Sequence, residues 1–323
     1  MKKFLASIIL AAVCVAAFAG GSGEKTPKTS KDNLNVYMVT LMSGGAAWGQ
    51  AEKGFLAACK ANGWTGRYLA PQVMNSETDI VNLVDTALTN GADVLCPIIT
   101  TEEAFTEVLT RAKAKGIPVI AIAAGSPKLA DALVGTSGTA MGHDVANALV
   151  KAMGNKPIRV VSIQTQLTAS IQNDQRNAFE AKLKELRPDA VVVAREECNS
   201  NTATAADKLN ALQLSHPEIN CLVSFDTAAG LGGAAVVEEK RLQGKFTVIG
   251  VDDSAEILRA VKAGTLACTV AQQWYEFGVS CVNIAKDLID KKEVSYDHTM
   301  PTAIIFPQDV DAWAKKYDID LSE

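Results

Sequence analysis

The amino-acid sequence predicts an α/β protein made of two similar doubly wound parallel-sheet lobes joined by a three-segment hinge. Three observations carry this expectation. Short β-branched and aliphatic runs alternate with amphipathic helical stretches from Asn33 almost to the C-terminus. Those strand runs are continuously apolar rather than alternating, as strands buried on both faces are. There are also too many of them for one ordinary sheet, and the chain of 323 residues is long enough for about two domains at ~150 residues each.

The N-terminus comes before the fold. Met1-Lys2-Lys3 is followed by an apolar run over 4–19, broken only by Ser7 and ending in Ala17-Phe18-Ala19. A cationic start, a short apolar stretch and a small-x-small end predict a secretory signal peptide over 1–19. The run falls short of the roughly 20 apolar residues a membrane span needs. The alternative is acylation of Cys14, which Val13 fits poorly. Residues 20–32, rich in Gly, Ser, Lys and Pro, read as a flexible leader.

The alternation then begins. Residues 35–41 form a strand and 47–62 a helix ended by Gly63; 67–70 is a short strand and 76–90 a helix ended by Gly91. Strands at 93–98 and 117–122 enclose a helix over 101–115, and Gly116 suits its left-handed C-terminal cap. A crossing is expected near 134–138, the sequence VGTSG. Strands at 158–163, 190–194, 221–225, 246–251 and 267–271 follow, with helices near 172–186, 202–215, 228–240 and 255–263. The helix over 275–290 needs a sheet to cover, which a second crossing at Gln272-Gln273 would supply from the first lobe; 301–306 would cross a third time. The expected lobes are therefore 33–136 plus 273–300 and 137–272 plus 301–323.

Composition excludes several classes. The chain is 48% hydrophobic, 21% charged and 6% aromatic, with a formal net charge of -5. A nucleic-acid binder would show a basic face and a high pI. His143, His216 and His298 are far apart in sequence, which disfavours a His-rich metal site. After the signal peptide, Cys59, Cys96, Cys198, Cys221, Cys268 and Cys281 form no CxxC pair. Most sit in apolar patterns, where cysteine behaves as a small hydrophobe, so they are expected free and buried.

Four segments carry a resemblance. His216-Pro217-Glu218-Ile219-Asn220 leads into Cys221-Leu222-Val223-Ser224-Phe225-Asp226. The other three are Val248 to Asp253 (VIGVDD), Leu266 to Gln272 (LACTVAQ) and Lys115 to Ile120 (KGIPVI). In this order and spacing, from about Asn33 to Pro301, the chain resembles the periplasmic sugar-binding proteins of ABC importers, the ribose- and galactose-binding type. The resemblance implies a type I periplasmic-binding fold whose lobes close on one small ligand and present it to a membrane permease. Ligands of open α/β sheets sit beyond the carboxyl ends of the strands, so the residues there are the candidates.

After the first strand, Ser43 and the Gly-rich junction lead to Trp48, where the family places an aromatic that stacks on a sugar; core packing is the competing reading. After the strand at 117–122, typical sugar binders carry an acidic or Asp-Arg pair, whereas this chain has Ala123-Ala124-Gly125. That departure suggests a less hydroxylated ligand, or one held mainly by the second lobe. There, Gln172 and Asn173 partly resemble a furanone-binder loop, and the family's arginine is shifted by one place to Arg176. Asn201 either reaches the site or caps the next helix. Asp226 and Thr227 match a ligand-reading pair in which Phe225 replaces an Asn. Asp252 and Gln272 match the hydroxyl-binding Asp and the hinge-adjacent Gln. Planar side chains of this kind suit vicinal hydroxyls.

Gly230 to Ala235 fits GxGxxA, but Asp226 to Ala229 separate it from the strand and put the glycines inside a helix, so no dinucleotide site is expected. Asp252-Asp253 are adjacent strand-end residues that point apart, and no third metal ligand is evident. The expectation is a non-enzymatic, monomeric, exported receptor with no cofactor, periplasmic and soluble or lipid-anchored. It binds a small sugar-like solute and hands it to an ABC permease. The alternative is a receptor of the same fold for a nucleoside or furanone signal that feeds a chemoreceptor.

Overall fold

The computed structural model describes residues 33–44 and 46–322. The expected signal peptide over 1–19, the expected leader over 20–32 and Cys14 lie outside the described residues.

The first lobe begins with β1 (Asn35–Val39), α1 (Ala46–Ala61), β2 (Thr65–Leu69), α2 (Glu77–Thr89), β3 (Val94–Pro97), α3 (Glu102–Ala114), β4 (Ile120–Ile122) and β5 (Ala132–Gly135). Its helices start where side chains satisfy free backbone N–H groups. Ser76 and Thr101 accept from Asp79 N and Ala104 N at the heads of α2 and α3. Strand β1 lies between β2 and β3, all parallel, and a single bridge between Leu95 and Val119 continues the layer to β4 and β5. One core packs Val36, Phe55, Leu95, Phe105 and Ile120 with Phe277 from much later in the chain.

The chain then enters the second sheet. Its elements are α4 (Gly138–Met153), β6 (Arg159–Gln164), α5 (Ser170–Leu186), β7 (Val191–Glu197), α6 (Thr202–Ser215), β8 (Cys221–Ser224), α7 (Thr227–Glu239), β9 (Thr247–Val251), α8 (Ala255–Lys262) and β10 (Cys268–Gln272). Next come α9 (Trp274–Ile289), β11 (Asp297–Thr299), β12 (Thr302–Ile305) and, after a short 3-10 turn, α10 (Val310–Tyr317). The second sheet runs β7-β6-β8-β9-β10-β12, parallel except for β12, which is antiparallel to β10. It is buried on both faces, by α6, α7 and α8 on one side and by α4 and α5 on the other. Strand β11 pairs with β5 in the first sheet. The chain therefore passes between the sheets three times, at 135–138, 272–274 and 299–302. Gln273 Nε2 donates to Pro301 O at 3.0 Å and ties two of these passages together.

Strand β5, helix α4 and the C-terminal elements β11, β12 and α10 were not foreseen. Strand β5 runs into the crossing expected at 134–138, and α4 begins at its end and fills 138–153, a stretch given no element in the sequence reading. The Gly/Ser/Thr-rich sequence there hides a helix start: Ser137 is the N-cap and accepts from Ala140 N. Two helix pairs approach at glycines. A Cβ at Gly278 would overlap the backbone of Ala51 and Phe55, which lets α9 lie against α1, and a Cβ at Gly142 would overlap the backbone of α5. All six described cysteines are buried and unpaired. No described helix is long and apolar enough to cross a membrane.

Candidate functional site

At the carboxyl ends of the second sheet's strands, a cavity of about 240 Å3 opens between that sheet's loops and the start of α1 and α9. The second lobe contributes Gln172, Gln175, Asp226, Thr227, Asp252 and Gln272. Ala47 and Trp274 face them. The volume is below the about 300–1,000 Å3 of sites for drug-sized ligands, so the space suits something smaller. The lining divides into polar groups already held by the protein and polar groups still free.

Asp226 is held. It caps α7 by accepting from Ala229 N at 3.2 Å, and its other oxygen accepts from Thr165 Oγ1 at 2.6 Å and Ser200 Oγ at 2.8 Å. Ser200 and its neighbour Asn199 both take left-handed backbone conformations, φ 52° and 51°, in the turn after β7. Gln172 is also held: Oε1 accepts from Thr165 N at 3.0 Å, while Nε2 donates to Phe225 O at 2.7 Å and Thr165 Oγ1 at 3.0 Å. Thr165, which the sequence did not single out, organises both residues. It comes from 61 residues before Asp226, so no local pattern reveals it.

Asp252 has only one of its carboxyl oxygens in a full hydrogen bond. It leaves β9 at φ 66°, a region L-residues rarely adopt, and its carbonyl is fixed by Thr269 Oγ1 at 2.7 Å. Thr227 Oγ1 donates to one carboxyl oxygen at 2.6 Å. Burial pushes the Asp252 carboxyl above its usual range and the Asp226 charge adds to this, against Thr227, Gln272 and Trp274, which favour the charged form. Gln272 and Trp274 thus stand close to Asp252, but only Thr227 makes a full hydrogen bond to its side chain. Gln175, also missed in the sequence, lines the cavity and makes no side-chain hydrogen bond among the described residues.

Four of the sequence candidates are placed elsewhere, and Trp48 is placed behind the cavity wall. Asn173 accepts from Gln164 Nε2 at 3.0 Å and donates to Leu167 O at 2.9 Å, fastening the loop after β6. Arg176 donates from Nη1 to Gln164 Oε1 at 2.7 Å and leans on Glu180 at 4.0 Å, so its charge is used inside the lobe. Asn201 caps α6, accepting from Thr204 N at 2.8 Å. Ser43 is exposed in the loop after β1 and does not line the cavity. Trp48 is 8% exposed and packs its ring on that of Trp274 at 4.9 Å between centroids. Of the two tryptophans, Trp274 therefore reaches the cavity, where Phe225 also lines the wall, and Trp48 supports it. Among the described residues, no group of three or more His, Cys, Asp or Glu side chains could hold a metal ion.

The periplasmic binding protein domain model matches residues 36–293, well over half of the chain. The chain belongs to this family. Periplasmic binding proteins are solute-binding proteins, and the two-lobed parallel-sheet architecture here is their type I fold. The chain is 24% identical over 203 residues to the D-apiose import binding protein of Paraburkholderia graminis, covering 59% of this chain and 61% of that protein. It is 25% identical over 231 residues to the xylitol-binding protein of Mycolicibacterium smegmatis, covering 71% and 65%. The matches thus span somewhat less than two thirds of these relatives. Among solved structures, the glucose-galactose binding protein of Geobacillus stearothermophilus is 27% identical with a TM-score of 0.74, covering 86% of this chain and 99% of that one. A sugar-binding protein of an ABC transporter from Bacillus halodurans superposes with a TM-score of 0.79 at 19% identity, covering 87% and 100%.

Proposed function

We propose that this protein is an extracytoplasmic solute-binding protein of an ABC importer. It encloses a small sugar or sugar-like solute between its lobes, 33–136 plus 273–300 and 137–272 plus 301–323, and leaves it chemically unchanged. The observation that carries the reading is the inter-lobe cavity, in which Asp252, Gln272 and Gln175 present polar atoms that the protein does not fully use. Planar carboxylate and amide groups each hold two hydrogen-bonding atoms in one plane, which suits neighbouring hydroxyls. The first lobe offers Ala47 and, beyond β4, Ala123-Ala124-Gly125, so hydroxyl recognition falls mainly to the second lobe. Closure is a hinge rotation about the three passages between the sheets. Relatives whose names carry apiose, xylitol and glucose-galactose support a carbohydrate over a nucleoside or furanone, and no feature of the cavity favours the latter two.

The signal peptide would deliver the protein to the periplasm, soluble and monomeric, or held to the membrane by a lipid on Cys14. A membrane permease would receive the closed, loaded form; delivery to a chemoreceptor is the alternative end point. A thermal-shift panel of pentoses, hexoses and alditols tests the proposal. A ligand at 100 times its Kd stabilises the folded state by about 2.7 kcal/mol. Protein stabilised by nucleosides and by no carbohydrate would overturn the assignment.

A further inference from the structure

Trp274 opens α9 immediately after the second passage between the sheets and is 9% exposed. Its Nε1 is buried and makes no full hydrogen bond among the described residues. Tryptophan has one polar atom, a donor, and buried indole N–H groups ordinarily find an acceptor. This ring is fixed rather than adaptable: it packs against Trp48 at 4.9 Å on one side and Phe277 at 5.0 Å on the other. It also lines the inter-lobe cavity beside Asp252. The Asp252 carboxyl, fully hydrogen-bonded only by Thr227 and more weakly approached by Gln272 and Trp274, lines the same space, so a donor and an acceptor that the protein leaves incompletely satisfied stand beside one another. A hydroxyl is the smallest group that satisfies both, because it accepts through its oxygen while donating its own proton.

Resting on the carbohydrate reading above, we propose that Trp274 Nε1 and the Asp252 oxygen that Thr227 does not engage form a donor–acceptor pair that pins one ligand hydroxyl. Trp274 is on this account a specificity-determining residue, contributed at the hinge by the first lobe. Gln175 and Gln272 then read the neighbouring hydroxyl, while Asp226 and Gln172 hold the loops that shape the cavity. The pair selects a polyhydroxy solute over one that offers only acceptors at this point, since a ketone or ether oxygen there would leave the Asp252 oxygen without a donor. The apolar lining from Ala47, Met141, Phe225 and Val251 further limits the ligand to one hydroxylated edge and one bare face.

The test is calorimetric titration of D-xylose, L-arabinose, D-galactose and xylitol, followed by the single-deoxy derivatives of whichever binds most tightly. Trp274→Phe keeps the ring and removes the N–H. It should weaken the best probe about tenfold, while Trp48→Phe, one layer back, should change it less than threefold. For the deoxy derivative that lacks the pinned hydroxyl, wild type and Trp274→Phe should bind alike, as the cycle of protein and ligand changes requires. Trp274→Phe that binds every probe as wild type does, or that loses the same factor on all deoxy derivatives, overturns the pairing. Wild type that binds none of the probes overturns the carbohydrate reading itself and this inference with it. A second measurement needs no variant: of the four indole N–H signals in a 15N–1H spectrum, that of Trp274 should move downfield on sugar binding. An unchanged Trp274 signal in the saturated complex also refutes the pairing.

Discussion

Replacing Asp253 with Asn should stabilise this protein at neutral pH and leave it nearly unchanged in acid. Asp253 follows the cavity residue Asp252 but points the other way, and is 4% exposed. One oxygen accepts from Trp313 Nε1 at 2.9 Å; the other has no donor among the described residues. Gln50 Oε1, also buried without a donor, lines the same 370 Å3 space between α1 and the β9–α8 loop. Lys53, Glu256, Asp318 and Asp320 surround that space, and Tyr317 stands within electrostatic reach of Asp253. Burial pushes the Asp253 carboxyl from 3.8 to about 7, with Trp313 opposing and the Asp252 charge assisting the rise. A carboxyl whose folded pKa is raised binds its proton more tightly in the folded state. Stability therefore falls as pH rises from about 4 to about 7, and the full penalty is present above that. A rise of about three units is worth about 4 kcal/mol at most. Asn carries no charge to desolvate and keeps an acceptor for Trp313. With an unfolding entropy of about 2.1 cal/mol/K per residue over roughly 290 folded residues, a gain of about 1–4 kcal/mol raises Tm by about 2–7 °C. Scanning calorimetry of wild type and Asp253→Asn from pH 4.5 to 8.5 reads this directly. A Tm difference that is constant across the range, or a variant less stable than wild type at pH 8, would refute the reasoning.

Other substitutions separate packing from binding. Gly278→Ala forces a Cβ into the backbone of α1 and should cost about 1–3 kcal/mol or more, seen as a lower denaturant midpoint. Arg176→Met leaves Gln164 Oε1 buried without its donor, so it should lose about 1–3 kcal/mol of stability while sugar affinity changes less than threefold. Thr165→Val removes the hydroxyl that Asp226 and Gln172 share, while Thr165 N still holds Gln172; it should weaken sugar binding several-fold in titration although Thr165 is not among the cavity's lining residues.

Much of the architecture is legible because apolar run length and helix punctuation are local. Ser76 and Thr101 mark helix starts, and Gly91 and Gly116 follow helix ends, within a few residues of the features they delimit. Helix α4 escaped because its capping Ser137 lies in a Gly/Thr-rich run that reads equally well as a connector. The site is less legible, because what matters there is which hydrogen bonds are already spent. Asp226 and Asp252 look alike as strand-end acids, but Thr165 and Ser200, distant in sequence, use up the first and leave an oxygen of the second without a full hydrogen bond. Trp48 and Trp274 both sit at loop-to-helix junctions, and only the packing of α1 on α9 decides which ring reaches the cavity. Arg176 fits the family pattern shifted by one residue, which on a helix turns a side chain by about 100°; here it meets Gln164 instead of the cleft.

A crystal structure of the protein grown with its best-binding sugar bears most directly on the whole account. The sugar should lie between Trp274 and Asp252, with one hydroxyl bridging the two and Gln272 and Gln175 in reach. Density for the sugar outside the inter-lobe space, with these four side chains left unengaged, would contradict it.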